Sequence, residues 1–103
     1  MELEKIQKEI HEIAVNHGWW DADKPRTFLD LIMLVVCECS EAVEEYRKTG
    51  TVEGNDHIAE ELADVLIRVL DLAEHYNINM SEAIAKKVEF NKSRPYRHRN
   101  KKA

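Results

Sequence analysis

The chain has few residues that interrupt helices, with only three glycines and two prolines among its 103 residues. Turns draw heavily on glycine and proline, so the long segments between them favour a single all-α domain. The chain also lacks an apolar run of about 20 residues, the length that a helix needs to cross a bilayer. Its first residues lack the basic start and continuous apolar stretch of a signal peptide. We therefore expect a cytoplasmic protein that does not enter a membrane.

Cysteine and histidine are also poorly placed for metal binding. Cys37 and Cys39, two positions apart on a helix, point to different sides, so they form neither a disulfide nor a recognisable zinc spacing. No acidic residue is followed three positions later by histidine. Because di-iron bundles use Glu-x-x-His on two helices, an iron site is not expected.

Charge is unevenly distributed around the net value of −5. Residues 86–103 carry eight basic residues and one acidic residue, whereas the remainder carries seven basic and nineteen acidic residues. An acidic body suits a protein that holds cations. Few aromatic residues interleave with the basic ones, so specific nucleic-acid binding is not expected. We interpret residues 1–95 as one helical domain and 96–103 as a basic, flexible tail.

Apolar periodicity predicts four helices, and residues Thr27 and Ser81 are expected to cap the second and the fourth. The predicted helices cover residues 2–17, 27–48, 56–76 and 80–93. The third helix is apolar nearly all round from Val65 to Ala73, so it should be the central, most buried one. Arg68 and Asp71 interrupt that apolar surface, and an ion pair between them is favoured over contact with a substrate.

Two pairs of carboxylates lie three positions apart inside these helices, which places each pair on one helix face. Glu38 and Glu41 follow two inward leucines by seven positions, so they continue the apolar stripe of the second helix. Glu61 and Asp64 belong to a polar stripe that could equally face solvent. Converging carboxylates repel one another unless a cation neutralises them, and oxygen ligands without histidine favour Mg²⁺ or Mn²⁺ over zinc.

Five segments stand in a recognisable order along the chain. They are Gly18-Trp19-Trp20, residues 28–32, residues 38–47, residues 60–67, and Lys87-x-x-x-Asn91-x-x-Arg94-Pro95. Together they resemble the MazG-like nucleoside triphosphate pyrophosphohydrolases of the all-α NTP pyrophosphatase superfamily. The resemblance implies a four-helix bundle that assembles as a homodimer or as a dimer of dimers. It also implies Mg²⁺-dependent hydrolysis of a nucleoside or deoxynucleoside triphosphate to the monophosphate and pyrophosphate. Whether this reaction would remove aberrant nucleotides from the pool or control a normal nucleotide is left open.

The resemblance also implies roles for individual residues. The Mg²⁺ ligands would be Glu38, Glu41, Glu61 and Asp64, and the phosphate contacts would be Lys87, Asn91 and Arg94. Trp19 or Trp20 could stack on the base or anchor the core. The carboxylate that takes the proton of the attacking water is left open among Glu38, Glu41, Glu45 and Glu60. The alternative function is that of a noncatalytic helical dimer that senses nucleotide or binds a partner through the basic tail.

Overall fold

The computed structural model describes residues 2–21, 23 and 25–95, which form four helices and no strand. The helices are α1 (Leu3–Asn16), α2 (Phe28–Thr49), α3 (Asp56–His75) and α4 (Met80–Lys92). The predicted all-α class is therefore confirmed, and each helix ends within two residues of its predicted position. The predicted tail at 96–103 lies outside the described residues.

Helix α2 has strong signals at both ends. At its start the Thr27 side chain accepts a hydrogen bond from the Asp30 amide at 3.1 Å, and the Asp30 carboxylate accepts one from the Thr27 amide at 3.0 Å. This capping box satisfies two amides that a helix start leaves without partners. At its end Gly50 adopts a φ of 70°, which a side chain would disfavour, and its amide donates to the Tyr46 carbonyl.

The predicted cap of α4 was wrong by two positions. The side chain of Asn79, not that of Ser81, accepts the hydrogen bond, from the Glu82 amide at 3.1 Å. The helix already begins at Met80, so Glu82 is the third helical residue, and its amide is the one that a capping side chain at 79 reaches.

Helix α3 is the centre of the fold, as predicted. It packs against α1 and α2, whereas α4 packs mainly against α1. Four of the five buried apolar residues among those described belong to α3, namely Ile58, Leu70, Leu72 and Ala73; the fifth, Leu31, faces them from α2. The candidate site residues on α3 thus belong to the helix that contributes most of the described core.

Large apolar side chains also remain exposed, and they concentrate on three helices. They include Leu29, Ile32, Met33, Val36, Val43 and Tyr46 on α2, Leu62 and Leu66 on α3, and Ile84, Val88 and Phe90 on α4. Leu29, Met33 and Val36 follow one another at intervals of four and three, so they share one face of α2, and an exposed apolar face of this kind is typical of an interaction site. Within the described part of the chain, no helix is both long enough and apolar enough to span a membrane.

Candidate metal and nucleotide site

Three of the four predicted metal ligands converge between α2 and α3. Glu38, Glu61 and Asp64 each offer a carboxylate oxygen, and these oxygens all lie within 4.8 Å of one another. Oxygens that share one Mg²⁺ at about 2.1 Å lie at most about 4.2 Å apart, so small side-chain rotations would close the group on an ion. Among the described residues, the buried Oε1 atom of Glu61 has no hydrogen-bond partner. The donor set and this unpartnered oxygen both fit a hard divalent cation.

The charges of the cluster also favour a bound cation. Partial burial raises the pKa of both Glu38 and Glu61, and repulsion by the Glu41 and Asp64 carboxylates raises both pKa values further. The guanidinium of Arg68 acts in the opposite direction and lowers the pKa of Glu38. A cation bound at the cluster would relieve the repulsion that these carboxylates exert on one another.

Glu41 lies at the edge of this cluster. Its side chain is exposed and is not one of the three that converge within 4.8 Å. Among the neighbouring charges, however, it has the largest effect on the pKa of both Glu38 and Glu61. The side chain is thus close to the other carboxylates and free to rotate toward them.

The remaining candidates for the proton acceptor differ in their surroundings. The Glu45 side chain is only 14% exposed, and its charge contributes to the raised pKa of Glu61. The Glu60 side chain is 74% exposed and faces His57, with 3.6 Å between Oε1 and Nδ1. Glu45 is therefore the better sheltered of the two beside the cluster.

A cavity of about 410 Å³ lies between α1, the connection from α1 to α2, and α3. Its wall includes the apolar side chains of Ile10, Ile13 and Ile67 together with Arg68 and Asp71. Arg68 follows the metal-ligand candidate Asp64 by one helical turn, and its charge acts on Glu38. The cavity and the acidic cluster are thus neighbours along the same face of α3.

Trp19 forms part of that cavity wall. The guanidinium groups of Arg26 and Arg68 both lie over its indole, each with Cζ 4.0 Å from a ring centroid. Arg26 also donates a hydrogen bond to the Trp19 carbonyl at 2.6 Å. The indole Nε1 of Trp19 is buried and has no partner among the described residues. The ring already stacks planar, positively charged groups, as an aromatic platform does.

Trp20 lies in a different environment from its neighbour. Its ring stacks on His75 with 3.9 Å between centroids and an interplanar angle of 7°. Its Nε1 donates a hydrogen bond to Oδ1 of Asp71 at 3.0 Å, and the same oxygen lies 2.7 Å from Nδ1 of His11. Trp20 therefore ties the connection between α1 and α2 to the central helix.

The expected ion pair between Arg68 and Asp71 was wrong. Asp71 meets His11 of α1 and Trp20, while Arg68 turns toward Trp19 and Glu38. The sequence showed no role for His11, because the partners of Asp71 come from a helix and a connection far away along the chain. The only indication in the sequence was that Asp71 lies in an apolar stretch of α3, where a buried carboxylate requires hydrogen-bond donors.

Two of the three predicted phosphate contacts, Lys87 and Asn91, lie on α4, and Arg94 follows two positions beyond its last residue, Lys92. The Nζ atom of Lys87 lies 4.8 Å from the centroid of the Phe90 ring, and Cζ of Arg94 lies 5.5 Å from it. Neither cation is among the charges with the largest effects on the pKa of Glu38 or Glu61. Helix α4, which carries Lys87 and Asn91, packs mainly against α1, whereas the acidic cluster lies between α2 and α3.

Comparison with known proteins gives one match. The family model of the MazG nucleotide pyrophosphohydrolase domain matches residues 26–98. No curated protein and no solved structure matches the chain. The matched segment contains α2, α3 and α4, and with them both acidic pairs. Because this segment covers well over half of its length, the chain belongs to the MazG nucleotide pyrophosphohydrolase domain family.

Proposed function

We propose that the protein hydrolyses a nucleoside or deoxynucleoside triphosphate to the monophosphate and pyrophosphate with Mg²⁺, which Mn²⁺ can replace. Membership of the MazG family supports a nucleotide pyrophosphohydrolase. The observation that carries the proposal is the buried, unpartnered Oε1 of Glu61 beside the carboxylates of Glu38 and Asp64. A carboxylate oxygen in such a position is costly unless a cation or a donor meets it.

Four carboxylates would hold the metal in this proposal. Glu38, Glu61 and Asp64 already converge, and the exposed side chain of Glu41 completes the set by rotating inward. A bound Mg²⁺ supplies the positive charge that polarises a phosphate and lowers the pKa of water. Arg68 adds a fixed cation at the side of the cluster nearest the cavity, where it can neutralise phosphate charge.

We assign proton removal from the attacking water to Glu45. It lies one turn beyond Glu41 on α2, is largely sheltered from solvent, and acts electrostatically on Glu61. Both glutamates have a basic neighbour, Lys48 at 3.9 Å from Glu45 and His57 at 3.6 Å from Glu60, but Glu60 is less suited because its side chain is 74% exposed. A carboxylate close to the metal ligands, yet not needed to hold the ion, can accept a proton as the water attacks.

The cavity would accept the base, with Trp19 as its stacking platform. Support comes from the position of Trp19 in the cavity wall. The guanidinium groups of Arg26 and Arg68 lie over its ring, so a base that stacks there would displace one of them. Trp20 would act through Trp19, because its ring and its nitrogen are engaged with His75 and Asp71. Base stacking on an aromatic ring is favourable for every base.

We also propose that the active form is a homodimer or a dimer of dimers. The exposed apolar residues of α2, α3 and α4 support this, since a second copy would cover them. Helix α4 packs mainly against α1 in a single chain, away from the acidic pairs. Lys87, Asn91 and Arg94 would therefore neutralise the triphosphate that is bound by a neighbouring copy.

The direct test is pyrophosphate release from a panel of ribonucleoside and deoxyribonucleoside triphosphates, canonical and modified, with Mg²⁺ or Mn²⁺. Pyrophosphate, not orthophosphate, is the expected product from at least one of them. Glu41→Gln and Asp64→Asn should each reduce turnover by more than about hundredfold, since even outer partners of metal ligands cost up to about that much.

Glu44→Gln is the matched control for these variants, because Glu44 is exposed on the same helix and pairs only with Arg47 in the described structure. It should keep full turnover, and circular dichroism should show unchanged helicity in all three variants. Absence of pyrophosphate release across the whole panel would leave the noncatalytic, nucleotide-sensing dimer as the better account.

A further inference from the structure

We infer that Asp71 determines which bases the protein prefers. Its free carboxylate oxygen would accept a hydrogen bond from an amino group at the edge of the base that lies opposite the sugar. The protein would then select cytosine and adenine nucleotides over those with a carbonyl oxygen at that position. The inference rests on the proposed function, which places the base in the cavity beside Trp19.

The two oxygens of Asp71 have different surroundings. Oδ1 accepts a hydrogen bond from Trp20 and lies 2.7 Å from Nδ1 of His11. Oδ2 is buried and has no partner among the described residues, although the side chain is only 2% exposed. Leaving a buried carboxylate oxygen without a donor is costly. Asp71 belongs to the cavity wall, although neighbouring atoms cover Oδ2 itself, so a ligand in the cavity would supply that donor once it displaces this cover.

The spacing along α3 fits a nucleotide. Asp64, Arg68 and Asp71 follow one another at intervals of four and three, which places them along one face of the helix. Seven residues of α-helix rise about 10 Å, which is comparable to the span from the α-phosphate of a nucleotide to the far edge of its base. A triphosphate held at the acidic cluster would therefore direct the far edge of its base toward Asp71.

The chemistry of that edge decides the preference. An ionised carboxylate can only accept hydrogen bonds. Cytosine and adenine present an amino group at the edge far from the sugar, and this group can donate to Oδ2. Uracil, thymine, guanine and hypoxanthine present a carbonyl oxygen there, which a carboxylate repels. The free oxygen of Asp71 therefore favours amino bases over keto bases.

The variant Asp71→Asn should reverse this preference. The indole nitrogen of Trp20 is a donor only, so it requires an acceptor at the position of Oδ1. The amide oxygen of asparagine must therefore take that position, and its amino group then replaces Oδ2. The variant presents a donor where the wild-type protein presents an acceptor, which suits a keto base.

The test measures binding of α,β-imido analogues by calorimetry with Mg²⁺, using two nearly isosteric pairs, those of CTP with UTP and of ATP with ITP. The wild-type protein should bind the amino member of each pair roughly ten- to hundredfold more tightly, the range expected for one hydrogen bond to a charged group. In Asp71→Asn, the affinity for the amino member divided by that for the keto member should fall to one or below in both pairs. Asp56→Asn, with the same change in charge at an exposed position of α3, should keep the wild-type ratios.

Equal or tighter binding of the keto members by the wild-type protein overturns the inference, as do wild-type ratios in a folded Asp71→Asn protein. If circular dichroism shows that this variant is unfolded, the inference is tested by the wild-type protein alone, through its amino-to-keto affinity ratio in each of the two pairs. Pyrophosphate release without base preference would refute the reading of Asp71 and leave the proposed function intact. Amino-base preference without pyrophosphate release would do the opposite. Failure of every analogue to bind would refute the inference about Asp71, and failure of both binding and pyrophosphate release would refute the proposed function as well.

Discussion

The guanidinium of Arg68 lies over the indole of Trp19, with Cζ 4.0 Å from the ring centroid, and the same charge lowers the pKa of Glu38. One side chain thus touches the wall of the cavity and acts on the acidic cluster. In the proposed function these two places hold the base and the metal. Arg68 would therefore link the two halves of the proposed site, a role that its position in an apolar stretch of α3 did not indicate.

Arg68→Gln should strengthen metal binding at neutral pH, and this gain should shrink at acidic pH. Removing the guanidinium takes away a charge that repels a cation at the cluster and that lowers the pKa of Glu38, so this pKa, already raised by burial and by Glu41, rises further. Carboxylates bind a metal in their deprotonated form, so protons should compete with the metal at a higher pH than in the wild-type protein. Mn²⁺ affinity measured by electron paramagnetic resonance between pH 5 and 8 provides the test.

Arg47→Gln is the control for this measurement, because Arg47 is exposed on α2 and contacts only Glu44 in the described structure. Its Mn²⁺ affinity should follow the wild-type pH dependence. Superimposable curves for Arg68→Gln and the wild-type protein would show that Arg68 does not act on the cluster.

The metal-free protein should lose stability as the pH rises through the raised pKa of Glu61. The ordinary pKa of this group is 4.5, and burial together with Glu41 and Asp64 raises it in the folded state. Between the two values the folded state binds more protons than the unfolded state, so the free energy of unfolding falls as pH increases. Thermal unfolding in EDTA, followed from pH 4.5 to 8, should show this decline.

Glu61→Gln should abolish that part of the decline and raise the melting temperature of the metal-free protein at neutral pH. It should also remove the stabilisation that Mg²⁺ gives the wild-type protein, because a bound ion stabilises only the state that binds it. Glu44→Gln, the same change at an exposed position of α2 that pairs only with Arg47 in the described structure, should retain both wild-type behaviours. If the metal-free Glu61→Gln protein instead has a lower melting temperature than the metal-free wild type, repulsion by the neighbouring carboxylates does not destabilise the ionised Glu61.

The sequence predicted local features well and long-range partners poorly. Apolar periodicity located the four helices, and the seven-residue continuation from the inward leucines correctly indicated that Glu38 faces inward. The same argument gave no warning that Glu41 would be exposed at the edge of the cluster. The partners of Asp71 come from α1 and from a connection without periodicity, so their contacts depend on tertiary packing that no spacing rule encodes.

The cap of α4 offers a direct comparison between the sequence-based expectation and the structure. Asn79→Ala removes the acceptor of the Glu82 amide and should destabilise the protein by about 1 kcal/mol. This corresponds to a fall in melting temperature of about 4–8 °C for a domain of this size. Ser81→Ala should have little effect, because Ser81 lies inside the helix and does not cap it. A larger loss for Ser81→Ala than for Asn79→Ala would reinstate serine as the cap.

Mixing two inactive variants tests whether the phosphate contacts act on a neighbouring copy. Glu41→Gln disables the acidic cluster and Lys87→Ala disables the proposed phosphate contact, so each homodimer should be inactive. In a heterodimer, one site would combine the intact cluster of one copy with the intact lysine of the other. Because a dimer made by random exchange is mixed in about half of cases and has two equivalent sites, about one-quarter of wild-type activity should return.

Co-expression of the two variants with different affinity tags allows the mixed dimers to be isolated. Glu41→Gln combined with Asp64→Asn is the matched control, since no copy in that dimer retains an intact cluster, and it should stay inactive. Isolated mixed dimers of Glu41→Gln and Lys87→Ala that remain inactive would place the lysine in the same chain as the cluster it serves. Because α4 packs mainly against α1 in a single chain, that result would require α4 to move toward α2 and α3 when nucleotide binds.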